Sequence, residues 1–371
     1  MLGVGAVCSA AALVGLLNVG AGASVSPRFI HHSGSSVTLN GAGSTFDQPF
    51  FTRAFYDYHE ANPNVTINYA SIGSGGGEGQ FEAGTVNFGA TDVPMLAADL
   101  AKVPASSGPV LQVPVDLGGE AIAYNLPKVP QGMHITPYVL AQIFLGKITK
   151  WNDPALVKLN PKANLPDLAI TVAHRSDGSG TTFIFTNYLS EVSGTWASQV
   201  GNAKSVAWPV GVGGQGNEGV AGIIDDTPGA LGYVELDYAI AAKLKYFAVR
   251  NPAGKYVMPS KTTVANEAAM KAGITAANFS ITDLPVKKSN LKLAVDAYPI
   301  SGYSWVVVLQ DQTNATTGSA LATMLTWLTS DTGGQKAAGA LDYVPLPPVI
   351  VKLATNTIAK MVGPGGTKLS S

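Results

Sequence analysis

Arg175 and Asp177 stand two residues apart at the head of a run of small residues, Gly178, Ser179, Gly180 and Thr181, in the stretch HRSDGSGTTFIF. These residue types handle anions. A guanidinium presents five donors in a rigid planar fork, hydroxyls donate or accept, and glycine lets a backbone N–H approach a ligand with no Cβ in the way. The same run admits two other readings. Ser179 and Thr181 are good helix N-caps, and Ser179 is a nucleophile if a histidine serves as its base.

The neighbouring elements narrow the choice. Residues 169–173 (AITVA) read as a buried strand, and Phe185, Tyr188, Leu189 and Val192 recur at i, i+3, i+4 and i+7, one face of a helix. The stretch is therefore strand, loop, helix start. There several N–H groups lack intrahelical partners and the helix dipole favours negative charge, which makes an anion cradle. The hydrolase reading is the weaker one. Asp177 stands where G-x-S-x-G requires glycine, and His174, His59 and His134 fall in no triad order around Ser179. An enzyme is not expected.

The chain has 371 residues, of which 46% are hydrophobic and 13% charged, which argues for packed cores rather than extended disorder. A net charge of −1 with no basic stripe makes nucleic acid a poor partner. The five histidines (31, 32, 59, 134 and 174) show no metal-ligand spacing, so no metal or cofactor is expected. Residues 1–27 carry no charged side chain, and Leu2 to Val19 is mostly apolar ahead of an Ala21-Gly22-Ala23 cleavage pattern. This reads as a signal peptide over 1–23 followed by a Ser-rich linker over 24–36, although the apolar run is long enough for a retained anchor. Cys8, the one cysteine, lies inside that segment without a lipid-attachment context, so a mature chain would carry neither disulfides nor thiol chemistry.

From Val37 the chain repeats a β-branched run, a glycine loop and an amphipathic helix. Phe51, Phe55 and Tyr58 mark the first helical face, Val65 to Ala70 the second strand, and a third strand ends at Asp92. The alternation predicts an α/β fold with a mixed or mainly parallel sheet, whose ligands collect beyond the carboxyl ends of the strands. Gly211-x-Gly213-x-x-Gly216 matches a dinucleotide fingerprint, but Pro209 just before it argues against the strand such a site needs.

In order along the chain, GAGSTF, IGSGGGEGQFEAGTVNFGATDVP, FLGKITKW, HRSDGSGTTFIFTNYL, GNEGVAG, TPGALGYVELDYA, YPISGY and LDYVPLP resemble the PstS-type phosphate-binding proteins of ABC phosphate importers. The resemblance runs from about Leu39 to Met361. It implies a two-lobed solute-binding fold, each lobe a mixed sheet flanked by helices, with two hinge crossings closing on one inorganic phosphate. Lobe 1 is expected over 37–119 and 298–361, lobe 2 over 120–297, and a disordered tail over 362–371. Thr45, Phe46, Ser74, Asp92, Arg175, Ser179, Gly180 and Thr181 occupy the family's phosphate-contacting positions, Phe46 through its backbone N–H, and Asp177 the position that orients the arginine. The implied partners are phosphate and the permease subunits, for an exported monomer in the periplasm or at the cell surface.

Asp92 is the informative member. Taken alone it is a turn residue ahead of Pro94. Against an anion a carboxylate makes sense only if the anion brings a proton, as mono- or dihydrogen phosphate does and sulfate at neutral pH does not. The site would thus reject sulfate with an unmatched acceptor. Another tetrahedral oxyanion remains the alternative ligand. A phosphate dianion with Asp92 and Asp177 outweighs one Arg175, so backbone N–H groups must supply the rest of the positive potential.

Overall fold

The computed structural model describes residues 36–271 and 273–369. The expected signal peptide (1–23) and all of the linker but Ser36 lie outside the described residues. The first half builds β1 (Val37–Gly43), α1 (Gln48–Ala61), β2 (Val65–Ser71), α2 (Ser74–Glu82), β3 (Phe88–Thr91), the single turn α3 (Ala97–Leu100) and the long β4 (Val110–Tyr124). After it come β5 (Thr171–Arg175), α4 (Gly180–Val192), β6 (Val212–Gly214), α5 (Gly216–Asp226), β7 (Ala230–Glu235), β8 (Lys245–Tyr246) and β9 (Ser301–Leu309), with further helices between and after them.

These nine strands form one mixed sheet in the order β2-β1-β3-β9-β4-β7-β5-β6, with β8 beside the end of β4. Two parallel blocks, β2-β1-β3 and β7-β5-β6, flank the central pair, and β9 and β4 run antiparallel to each other and to the block beside each. The expected α/β class with a mixed sheet is what the chain adopts. β4 changes partner once. Residues from Val110 to Gly119 pair with β9, and from Glu120 onward with β7. One register slip interrupts the β4–β9 ladder, between Ser304 and Trp305, where Pro114 has no N–H to give.

The helices cover the sheet because their apolar residues recur on one side. In α1, Phe50, Phe51, Ala54, Phe55 and Tyr58 are buried, and Pro49 sits in the first turn, where its missing N–H costs nothing. Each such aromatic contributes roughly 1.5–3 kcal/mol by burial. In α4 the expected face is present in Phe185, Tyr188 and Leu189, joined by Ile184, while Val192 is half-buried. The strand expected over 169–173 lies two residues later, because Ala169 makes only an isolated bridge to Lys150.

Two expectations need correction. Residues 362–369, read as part of a disordered tail, are held against the fold. Val362 bridges to Asp311 and Lys368, and Leu369 packs into the core. The glycine run 211–216 does form a strand and a helix start, since Pro209 precedes β6 rather than interrupting it. No helix among the described residues is long and apolar enough to cross a membrane.

Candidate functional site

The parallel strands β1, β2, β3, β5 and β6 deliver their carboxyl ends to one place. Ser44 to Asp47 follow β1 and lead into α1, Ser74 opens α2 after β2, and Asp92 follows β3. From the other block, Arg175 ends β5, Gly180 opens α4, and Asn217 lies in the first turn of α5 after β6. The helix starts are joined by their own first residues. Gly180 N–H donates to Ser74 Oγ at 3.0 Å, Gly75 N–H to Gly178 O at 2.8 Å, and Asn217 N–H to Thr45 Oγ1 at 3.1 Å. Thr45, Ser74, Asp92, Arg175, Ser179 and Thr181 are all buried.

Arg175 is the one fully buried cation among the described residues. Its Nε and Nη2 donate to the two oxygens of Asp177 at 2.8 and 2.5 Å, which fixes the guanidinium plane. Burial opposes its charge, and the Asp177 pair more than offsets that, so the guanidinium is held more firmly protonated than a free one. Nη1 reaches Thr181 Oγ1 at 3.3 Å. Asp177 also accepts from Gly216 N–H at 3.1 Å, so it ties the β5 loop to the start of α5.

The hydroxyls share one pattern. Thr45 Oγ1 accepts from Asn217 N–H and Nδ2, Thr181 Oγ1 from Arg175 and Asn217 Nδ2, and Ser74 Oγ from Gly180 and Asp92 N–H. Ser179 Oγ caps α4 by accepting from Thr182 N–H at 3.1 Å. A hydroxyl has one hydrogen and two lone pairs. Thr45, Thr181 and Ser74 have both lone pairs engaged and Ser179 one of its two, and none of the four donates its hydrogen to another of the described residues, so all four have it left to give. The arrangement can therefore do one thing well: surround an acceptor-rich anion with O–H donors and one guanidinium.

Asp92 is held the opposite way, as an acceptor. Ser44 Oγ makes a short hydrogen bond to its Oδ1, and Ser304 Oγ donates to the same oxygen at 3.1 Å. Burial pushes its carboxyl up to about 6, with the serine hydrogen bonds and Arg175 resisting, so near neutral pH it is mainly a carboxylate. Phe46 follows Thr45 at the head of α1. Its ring is in the core, edge-on to Tyr343, but its N–H donates to Ser44 Oγ at 2.9 Å. Gly180 leaves room for Asp92, since a Cβ there would lie 2.5 Å from the Asp92 Cβ.

Three polar residues escaped the sequence reading: Ser44, Ser304 and Asn217. Asn217 lies in the GNEGVAG motif, which was the available signal. A larger surprise lies behind Asp92. Asp47, Asp116, Glu120 and Glu235 are also fully buried, and Asp47, Asp116 and Glu120 have no donor on either carboxyl oxygen. Burial first, then a neighbouring carboxylate (Asp116 for Asp47, Asp92 for Asp116 and Glu120, Asp237 for Glu235), raises all four above the usual carboxylate range, Asp116 to about 8. Asp47 and Asp116 lie close enough that the charge of Asp116 helps to hold Asp47 protonated. The histidines considered as catalytic bases lie elsewhere in the hydrogen-bond pattern. His174 Nδ1 is 2.9 Å from Arg175 O and its ring stacks on Trp208, while His59 Nδ1 meets Val65 O.

Residues 31–332 match the family model described as a PBP superfamily domain. The phosphate-binding protein PstS of Xylella fastidiosa is 42% identical over 318 residues, covering 85% of this chain and 84% of that protein. PstS of Pasteurella multocida is 42% identical over 316 residues, covering 85% and 88%. Among solved structures, the high-affinity periplasmic phosphate-binding protein PfluDING, determined with phosphate bound, superposes with a TM-score of 0.66 at 20% identity over 88% of this chain and 99% of that one. That likeness concerns the fold. With 42% identity across 85% of its length and the family model matched over most of it, the chain belongs to the PstS family of phosphate-binding proteins.

Proposed function

We propose that this chain binds inorganic phosphate between two lobes and delivers it to the permease of an ABC phosphate importer, acting as an exported monomer in the periplasm or at the cell surface. The lobes are 37–119 with 298–361, and 120–297. The chain crosses between them within β4 at Gly119 and Glu120 and again just before β9. The ligand contacts are Thr45, Phe46, Ser74, Asp92, Arg175, Ser179, Gly180 and Thr181, with Asp177 orienting Arg175.

One observation carries the reading. Four buried hydroxyls with their hydrogens to give, and one buried guanidinium, gather at the same strand ends as a buried carboxylate that accepts from Ser44 and Ser304. An anion meeting both demands must be rich in acceptors and carry one proton. Hydrogen phosphate does so and sulfate does not. Two unit charges about 4 Å apart repel by roughly 4 kcal/mol at an effective dielectric near 20, which is the scale of the penalty on a donor-less anion. Ser179 acts as helix cap and donor, which needs no catalysis.

Calorimetric titration of the parent and of Asp92→Asn with phosphate and with sulfate tests this. The parent is expected to bind phosphate and ignore sulfate. An amide can rotate to meet either kind of oxygen, so the variant keeps most phosphate affinity. Its preference should fall by about 30- to 1000-fold, the equivalent of about 2–4 kcal/mol. An unchanged preference removes Asp92 as the selector, and a parent that binds no phosphate removes the function.

A further inference from the structure

Lys204 lies between the helix Gly194–Gln199 and β6, in the stretch assigned to the second lobe. Its ammonium reaches Glu78 of α2 in a short ion pair, and Asp99 of α3 at 2.8 Å, both in the first lobe. Its carbonyl accepts the N–H of Ser179, the cap of α4, at 2.8 Å. A single residue thus grips the opposite lobe with its side chain and the anion loop with its backbone.

The far side of this contact needs a cation. Glu78, Glu82 and Asp99 bring carboxylate oxygens within 4.8 Å of one another. Glu78 is 3% exposed, and one of its oxygens has no hydrogen-bond partner. Lys102 serves Asp99 at 2.9 Å and lies 3.8 Å from Glu82, but no hydrogen bond or ion pair joins it to Glu78. Burial pushes the Glu78 carboxyl up, and the Lys204 ammonium pulls against that. Glu78 lies one helical turn beyond Ser74, so the same face of α2 carries the Lys204 ion pair and the Ser74 Oγ that accepts from Gly180 N–H.

We propose that Lys204 is the latch of the closed cleft: its ion pairs to Glu78 and Asp99 form only when the lobes meet, and they set how slowly a bound anion leaves. This rests on the two-lobed phosphate-binding reading. The Lys204 side chain is 19% exposed, so salt reaches the latch when the cleft begins to part. Because the pairs form after encounter, they act on release more than on capture.

The test is rapid-mixing measurement of phosphate association and release. It compares the parent with Lys204→Met, which keeps the stem without the charge, and Lys204→Arg, which keeps the charge. Lys204→Met is expected to release phosphate about tenfold faster with association changed less than about threefold, and Lys204→Arg to recover most of the difference. Raising ionic strength from about 50 to 500 mM should speed release from the parent and leave Lys204→Met nearly unaffected. Glu78→Gln should copy Lys204→Met, and thermal melting without phosphate shows whether each variant is folded. A parent that binds phosphate while Lys204→Met releases it at the parental rate, or with the parental salt dependence, overturns the latch alone. A parent that binds no phosphate overturns the functional reading and the latch with it.

Discussion

Replacing Asp116 by asparagine should flatten the pH dependence of stability. Asp116 lies on β4 opposite Ser304, buried against Asp47, with the charge of Asp92 beyond Ser304 and Glu235 and Tyr343 nearby. Burial, and then the Asp92 charge, push its carboxyl up to about 8, whereas an unfolded aspartate titrates near 3.9. The folded chain therefore keeps a proton that the unfolded chain gives up. The stability this supplies is complete below about pH 4 and is lost as the pH rises through about 8. The slope is about 1.4 kcal/mol per pH unit, so between pH 5 and pH 8 the group costs about 4 kcal/mol. Asparagine does not titrate, and its amide can donate to Asp47. Urea unfolding of parent and Asp116→Asn at intervals from about pH 5 to 8 should show the variant gaining on the parent by about that amount. Parallel curves would refute the argument, because Asp116 would then hold no proton in the folded state.

Two further substitutions separate the site from the fold. Gly180→Ala places a Cβ 2.5 Å from the Asp92 Cβ, well inside contact distance, so closure is blocked while α4 itself gains helix propensity. Phosphate affinity should drop at least about 100-fold with no loss of ligand-free melting temperature, and near-parental affinity would count against lobe closure on this loop. Asn217→Ala removes the Nδ2 bond to Thr45 and leaves the backbone N–H bond, at about 1 kcal/mol or about fivefold in affinity if the two lie on opposite sides of the closing cleft. Glu235 N–H also loses its partner, which should lower unfolding free energy by about 1–3 kcal/mol. Titration and urea unfolding read the two effects separately.

Arg175, Asp177 and the Ser179 to Thr181 loop were legible because a strand, a small-residue turn and a helix face follow one another within a short window. Asn217 was not, because the eye goes to Pro209, and only the pairing of β5 with β6 reveals that the strand begins beyond it. The carboxyl groups behind the site were invisible for another reason. Asp116 and Glu120 interrupt the apolar run of β4, which is a clue that they are buried. Nothing local says that Asp47 and Glu235, from other elements, arrive beside them. Ser304 and Asp92 meet across 212 positions of chain, a distance that no window spans.

The central pair of the sheet also orders events in time. β4 and β9 bracket residues 125–300, so the pairing of residue 119 with residue 301 closes a long loop. Closing so long a loop delays its reward, whereas β1, β2 and β3, and likewise β5, β6 and β7, meet over much shorter spans. Each parallel block should therefore become native before the central pair joins them. A chain threaded through a membrane from its amino end would carry the edge of β3 that faces β9 unpaired until nearly all of it had crossed, dependent on chaperones or on slow collapse. Pulse-labelled hydrogen exchange during refolding would detect this as amide protection in β1 and β5 ahead of β9; simultaneous protection would mean that the blocks and the central pair condense together.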